Sequence, residues 1–189
     1  MNSRSAVFLD GGYLDKVLLI DFNKAKINYE KLAAEMAGKN ELLRAYYYHC
    51  LPYQGSPPTE VERARFASMS KFVSTISRLP RFEVRLGRLA FRGTQPNGSP
   101  IFMQKRVDCM LGVDMALLAA KGKVSNIEVL SGDSDFIPAI EAVKREGILV
   151  TLWHGNVLSG STTQPSRDLY QMCDDRKHLT QDIIDKILR

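Results

Sequence analysis

The chain has 189 residues, 44% of them hydrophobic and 25% charged, with a formal net charge of +5. That is the make-up of an ordinary globular protein, long enough to bury a substantial core in one domain spanning 1–189. No apolar run approaches the ~20 residues that span a bilayer, and MNSRSAVFLDGG lacks a signal-peptide pattern, so no membrane contact and a cytoplasmic location are expected. The cysteines Cys50, Cys109 and Cys173 are odd in number and far apart, which implies reduced, mostly buried thiols rather than a disulfide framework or a structural zinc site.

Residues 4–9 read as a buried strand leading into a glycine turn and a short helix. Residues 28–37 read as a helix with Asn28 as N-cap and Gly38 as C-cap. LLRAYYYHC, 42–50, reads as a strand. Thr59 opens a capping pattern for a helix over 60–78 whose apolar positions include Val61, Phe66, Met69, Phe72 and Ile76. FEVRLGRLAFR, 82–92, alternates apolar and basic residues. With the QPNGS turn and IFMQKR it predicts a β-hairpin over 82–105. Helices follow over 107–120 and 136–146, with strands over 126–131 and 147–153. GNVLSGSTTQPS, 155–166, is rich in Gly, Ser and Thr and predicts a mobile loop. A terminal helix over 179–188 opens near Thr180 and packs on the rest. Strands alternating with helices imply a mostly parallel sheet covered on both faces.

In such sheets ligands bind outside the carboxyl ends of the strands. Asp10 closes the first strand, and Asp133 and Asp135 in LSGDSDF follow the strand over 126–131. Asp108 falls at the start of the helix in KRVDCMLGVDMALLAA, and Asp114 lies within it, flanked by apolar residues. Carboxylates held close together repel unless a cation sits among them, and Mg²⁺ and Mn²⁺ prefer oxygen ligands. The metal candidates are therefore Asp10, Asp108, Asp114, Asp133 and Asp135. Six residues are about 240° around a helix, so Asp108 and Asp114 do not both point at one centre. Taken singly, Asp133 or Asp135 serves equally as an N-cap for 136–146, and Asp114 as half of a salt bridge.

FLDGGYL (8–14), KRVDCMLGVDM (105–115) and LSGDSDF (130–136) together resemble the NYN-domain proteins of the LabA/DUF88 group, in the PIN-like nuclease superfamily. The resemblance implies a three-layer α/β/α sandwich with a mostly parallel sheet. It also implies a metal-dependent ribonuclease using Mg²⁺ or Mn²⁺, with Asp10, Asp108, Asp133 and Asp135 as the catalytic acids and RNA as the partner. Many relatives have Asn near Tyr13 and Gly in place of Arg106.

Lys105, Arg106, Tyr13, Ser131 and Ser134 are the candidate substrate contacts. Lys105 reads equally as a solvated strand-end lysine, and the serines equally as turn residues. Arg81, Arg85, Arg88 and Arg92 are placed to track a phosphate backbone. Of Tyr46, Tyr47 and Tyr48, at most one or two are free for base stacking. His49, His154 and His178 fit no metal spacing. A haloacid-dehalogenase-like phosphatase needs a second acid where Gly12 stands, and DGGY is not a dinucleotide fingerprint. The competing reading is an RNA-binding or regulatory protein that keeps the metal pocket with little turnover. The hairpin's free edge also makes a homodimer an expectation.

Overall fold

Successive residues of a strand point to opposite faces of its sheet, and in this chain the two faces feed two separate cores. The computed structural model describes residues 3–189 apart from 97, 99 and 159. In chain order the elements are β1 (Arg4–Asp10), α1 (Gly11–Ile20), α2 (Tyr29–Ala37), β2 (Glu41–Cys50), α3 (Glu60–Ile76), β3 (Phe82–Thr94), β4 (Pro100–Lys105), α4 (Val107–Ala120), β5 (Asn126–Leu130), α5 (Ile137–Arg145), β6 (Leu149–His154), α6 (Arg167–Met172), β7 (Asp175–His178) and α7 (Gln181–Ile187). One turn of 3-10 helix, Ser134–Phe136, leads into α5.

Among the described residues one seven-stranded sheet runs in the order β4-β3-β2-β1-β5-β6-β7. All neighbours are parallel except β3 and β4, which form the expected hairpin. Ala6 and Phe8 of β1, Ile127 and Val129 of β5 and Val150 and Leu152 of β6 face a core closed by α4, α5 and α6. Val7, Leu9, Leu130 and Trp153 face the opposite core, closed by α1, α2, α3 and α7. The result is the α/β fold with a mostly parallel sheet expected of a PIN-like sandwich.

Local signals place the helix ends. Asn28 accepts from the Lys31 N–H at 3.1 Å, Gly38 takes a positive φ of 60°, and Thr59 and Glu62 complete a capping box. Thr180 caps α7, whose Ile184 and Ile187 enter the core. On α3 the apolar positions are only partly covered: Ile76 is buried, whereas Val61 is 59% exposed.

The structure departs from the sequence reading in three places. The glycines after Asp10 are helical rather than a turn: Gly11 is the first residue of α1 and Asp10 its N-cap. A Cβ on Gly11 would lie 2.6 Å from the Tyr47 hydroxyl and the His49 ring, so the helix starts close against β2. The polar segment after β6 holds α6 and β7, neither of which the sequence pattern announces. The 155–166 loop, expected to be mobile, is tied to α1 by hydrogen bonds described below. Asn97 and Ser99 of the predicted turn lie outside the described residues.

From β1 the chain steps outward through β2 and β3. It then returns to β5, beside β1, and steps outward the other way through β6 and β7. The order reverses between β1 and β5, so the carboxyl ends of these two strands flank the expected ligand crevice.

Candidate active site at the carboxyl ends of β1 and β5

Asp10 ends β1 and caps α1, its Oδ1 accepting the Tyr13 N–H at 3.1 Å. Its Oδ2 accepts the Ser131 hydroxyl at 3.1 Å. Ser131, fully buried just after β5, also accepts the Asp133 N–H at 3.3 Å. One hydroxyl thus ties the two motifs together. Burial pushes the Asp10 carboxyl above its ordinary value; the hydrogen bonds from Tyr13 and Ser131 oppose this, and the nearby Asp108 adds to it.

Asp108 stands in the first turn of α4. Its carboxyl is raised by burial and then by the charges of Asp133 and Asp135. Asp133 caps the 3-10 turn, accepting the Asp135 N–H at 3.0 Å. Asp108 thus feels Asp133 and Asp135, and Asp10 feels Asp108, an arrangement that favours positive charge nearby.

Asp114 goes elsewhere. Its Oδ2 accepts from Arg85 Nε at 3.0 Å and from the Tyr48 hydroxyl at 2.9 Å, the salt-bridge role the sequence left open. The offset of about 240° from Asp108 has this physical consequence: one acid lies within the electrostatic reach of Asp133 and Asp135 and the other locks α4 to β2 and β3. Arg85 also pairs with Glu83 at 2.7 Å, and Arg81 with Glu41 at 4.0 Å, so both arginines are engaged within the protein. Tyr47 and Tyr48 are fully buried.

A cavity of about 310 Å³ opens beside Asp10, Tyr13, Asp133 and Ser134. Its remaining wall is Lys16, Gly132, Thr162, Gln164 and Ser166, none of which the sequence reading singled out. Lys16 lies one helical turn beyond Tyr13, a spacing that puts both on one face of α1; that was its only signal. Gly132 has no room for a side chain, since a Cβ would lie 2.5 Å from the Tyr13 ring. Lys105 ends β4 and Arg106 joins it to α4, three and two residues before Asp108. Arg106 holds a left-handed φ of 76° with no side-chain cap bond. That conformation favours glycine. A larger apolar cleft of about 920 Å³ lies between α1 and α3 and includes none of the four acids.

Two residues of the α1 segment hold the loop that forms the far wall. The Tyr13 hydroxyl donates to the Thr163 carbonyl at 2.6 Å and accepts the Gly155 N–H at 3.0 Å. Asp21, the C-cap of α1, accepts from the Thr163 hydroxyl at 2.8 Å and from the Asn156 N–H at 3.0 Å. Tyr13 is thus a staple as well as a wall residue, and burial pushes its phenol up to about 12.

The family pattern described as the NYN domain matches residues 4–176. The chain belongs to the NYN domain family. NYN domains are a PIN-like nuclease family. A crystal structure from Vibrio parahaemolyticus RIMD 2210633, described as a protein of unknown function, superposes with a TM-score of 0.57 at 18% identity. It covers 100% of this NYN chain and 97% of its own, a likeness of fold. Among curated proteins none matches the chain.

The donors suit a hard cation in kind: four carboxylates with a hydroxyl behind one of them. As the side chains lie, no three His, Cys, Asp or Glu among the described residues converge closely enough to hold a metal. Asp10 and Asp133 each spend one oxygen on a cap, and a carboxylate has further lone pairs to offer. The set therefore fits a cation by chemistry, with the side chains turned partly to their capping partners. Among the described residues no helix is long and apolar enough to cross a membrane.

Proposed function

We propose that this NYN chain is a metal-dependent endoribonuclease of the LabA/DUF88 kind, hydrolysing RNA phosphodiester bonds at the crevice between β1 and β5. One observation carries the reading: Ser131 bridges Asp10 and Asp133, while Asp10 and Asp108 are each raised by burial and by neighbouring acids. Mg²⁺ or Mn²⁺ held by Asp10 and Asp133, with Asp108 and Asp135 completing the set, would supply Lewis acidity to the phosphoryl group.

The chain's own residues do the rest. Ser131 orients the Asp10 carboxylate toward the crevice. Lys16, Lys105 and Arg106 bring positive charge to the rim, where phosphates bind. The Tyr13 staple holds Thr162, Gln164 and Ser166 against the pocket, so the substrate meets a fixed polar wall rather than open water. Asp114 takes no metal in this reading and keeps α4 in place through Arg85. Three free thiols suit a reducing compartment such as the cytoplasm.

A second reading, an RNA-binding NYN module with little turnover, has one observation in its favour: the acids as they lie do not converge. Cleavage of RNA with added Mg²⁺ or Mn²⁺ separates the two. Asp10→Asn and Asp133→Asn should each abolish cleavage. Unchanged rates in both variants sink the catalytic assignment, and binding without cleavage by any variant supports the module.

A further inference from the structure

The net charge of +5 is not spread evenly. Between Glu83 and Asp108 stand Arg85, Arg88, Arg92, Lys105 and Arg106, with no acid among them. Removing these five from the chain's 26 Lys and Arg leaves 21, equal to its 21 acids. The hairpin segment thus carries charge equal to the whole positive excess. Arg85 is engaged by Glu83 and Asp114. Arg88, Arg92, Lys105 and Arg106 enter none of the salt bridges among the described residues.

Register places these cations beside the site. β3 pairs with β2 only as far as Gly87, opposite Cys50. From Arg88 onward it pairs with β4 alone. The carboxyl end of β3 lies on the same edge of the parallel sheet as those of β1 and β5. The hairpin therefore runs past the edge that carries the acids, as a two-stranded ribbon. Its return strand passes through Lys105 and Arg106 directly into α4 and Asp108.

The ribbon is built unlike a part that serves only the fold. Arg88 stands opposite Lys105, and like charges directly across a ladder destabilise it; a bound anion reverses that. Phe91 stands opposite Phe102, and Tyr53 joins them, with ring centroids 6.2 and 5.1 Å away. Phe91 is nonetheless 49% exposed and Phe102 40%. Ile101 and Met103 are exposed on the same ribbon. Apolar surface left open in this way marks an interaction site.

Unpaired cations on one face of the ribbon and open aromatic rings on the other match one partner chemistry. Cations follow a phosphate backbone, and rings stack on bases. A duplex hides its base faces, so an unpaired strand fits. A second copy of the chain fits poorly, although β4 is an outer strand, because two ribbons rich in cations and free of acids would meet. We propose that the β3–β4 hairpin is a docking arm that binds an unpaired RNA strand and leads it to the acidic crevice. The Arg88–Lys105 and Phe91–Phe102 rungs lie three residues apart on β3, ~10 Å at ~3.3 Å per residue, and so on opposite faces of the ribbon; a bound strand crosses the ribbon's free edge, its phosphates on the cationic face and its bases on the aromatic one.

The arm rests on the RNA reading above, but its test does not require cleavage. The full chain is titrated against a fluorescein-labelled single-stranded RNA and the matching duplex in EDTA, with Phe91→Ala/Phe102→Ala and Arg88→Ala/Arg92→Ala variants alongside. The single strand should bind about 10-fold or more tighter than the duplex. The aromatic pair should cost about 10-fold in that binding, consistent with ~1–3 kcal/mol per stacked base. The arginine pair should lower the salt slope by about 1.4, at ~0.7 per phosphate contact. Single-strand binding that both variants retain in full overturns the arm, as does equal binding of strand and duplex. Sedimentation showing a wild-type dimer that Phe91→Ala/Phe102→Ala dissolves also overturns it, in favour of a second copy. Arm-dependent binding with no cleavage under any metal supports the arm while the nuclease reading fails; cleavage with binding untouched by the variants does the reverse.

Discussion

The Ser131 hydroxyl at the end of β5 donates to the Asp10 carboxylate at the end of β1 across 3.1 Å. The same oxygen accepts the Asp133 N–H, so one buried side chain sets the separation of the two acids. Ser131→Ala removes both bonds. It should cost ~1 kcal/mol of stability and slow cleavage about 10–100-fold, as losing a ligand's supporting partner does. Ser131→Thr, which keeps the hydroxyl, should recover most of the rate. Urea melts and single-turnover cleavage check this. An Ala variant as fast as wild type would show that Asp10 needs no such orientation.

Tyr13→Phe keeps the ring against Gly132 and removes only the hydroxyl between the Thr163 carbonyl and the Gly155 N–H. It should cost ~1–2 kcal/mol for the lost pair of hydrogen bonds. Amide exchange at Gly155 should speed up and KM for RNA should rise as the pocket wall loosens. Unchanged exchange at Gly155 would mean that Asp21 alone holds the loop.

Arg106 occupies a left-handed backbone position, which costs a non-glycine residue ~1–2 kcal/mol, while glycine adds entropy to the unfolded chain. Arg106→Gly should therefore leave stability unchanged or raise it by less than ~1 kcal/mol. Loss of a rim cation should raise KM and flatten its salt dependence. Thermal melts and steady-state kinetics at two salt concentrations measure both effects. A clear loss of stability would show that the Arg106 side chain holds the fold, not the substrate.

His154 is buried, its Nδ1 lies 2.7 Å from the Gly155 carbonyl, and its ring stacks on His178 at 5.6 Å. Burial is the main force holding its imidazole below the ordinary value, with the His178 charge acting the same way. The folded state thus binds the proton less readily than the unfolded one. The contribution of His154 to stability is full above pH ~6.5 and is lost as pH falls toward the folded value. The stability gap between wild type and His154→Asn should hold steady above that pH and narrow on acidification. A gap independent of pH would mean that folding leaves the titration of His154 unchanged.

The legible parts of the fold were those with local causes. Asn28, Gly38, Thr59 and Glu62 mark helix ends within a few residues, and the hairpin shows in its alternation. Asp10 and Asp133 were readable as neighbours because parallel sheets gather their ligands at carboxyl ends. β7 escaped notice because its side chains are exposed. It is held by pairing with β6 and by contacts such as Lys177 over the Trp153 ring at 4.9 Å. The wall of Thr162, Gln164 and Ser166 depends on a hydrogen bond from Tyr13, far away in the chain, and no local pattern reports it. Asp114 could be separated from Asp108 by helical angle, but its partner Arg85 comes from another strand.

The central claim is that Asp10 belongs to a metal-dependent centre and Asp114 to the frame around it. The most direct test is the rate of cleavage of a single-stranded RNA as a function of Mn²⁺, in wild type, Asp10→Asn and Asp114→Asn, all confirmed folded by thermal melts. The rate should rise and saturate with Mn²⁺ in wild type and stay within about 10-fold of that in Asp114→Asn. In Asp10→Asn it should fall by more than ~100-fold, beyond what loss of an outer partner costs. Equal rates in wild type and Asp10→Asn, or equal loss in Asp10→Asn and Asp114→Asn, would contradict the account.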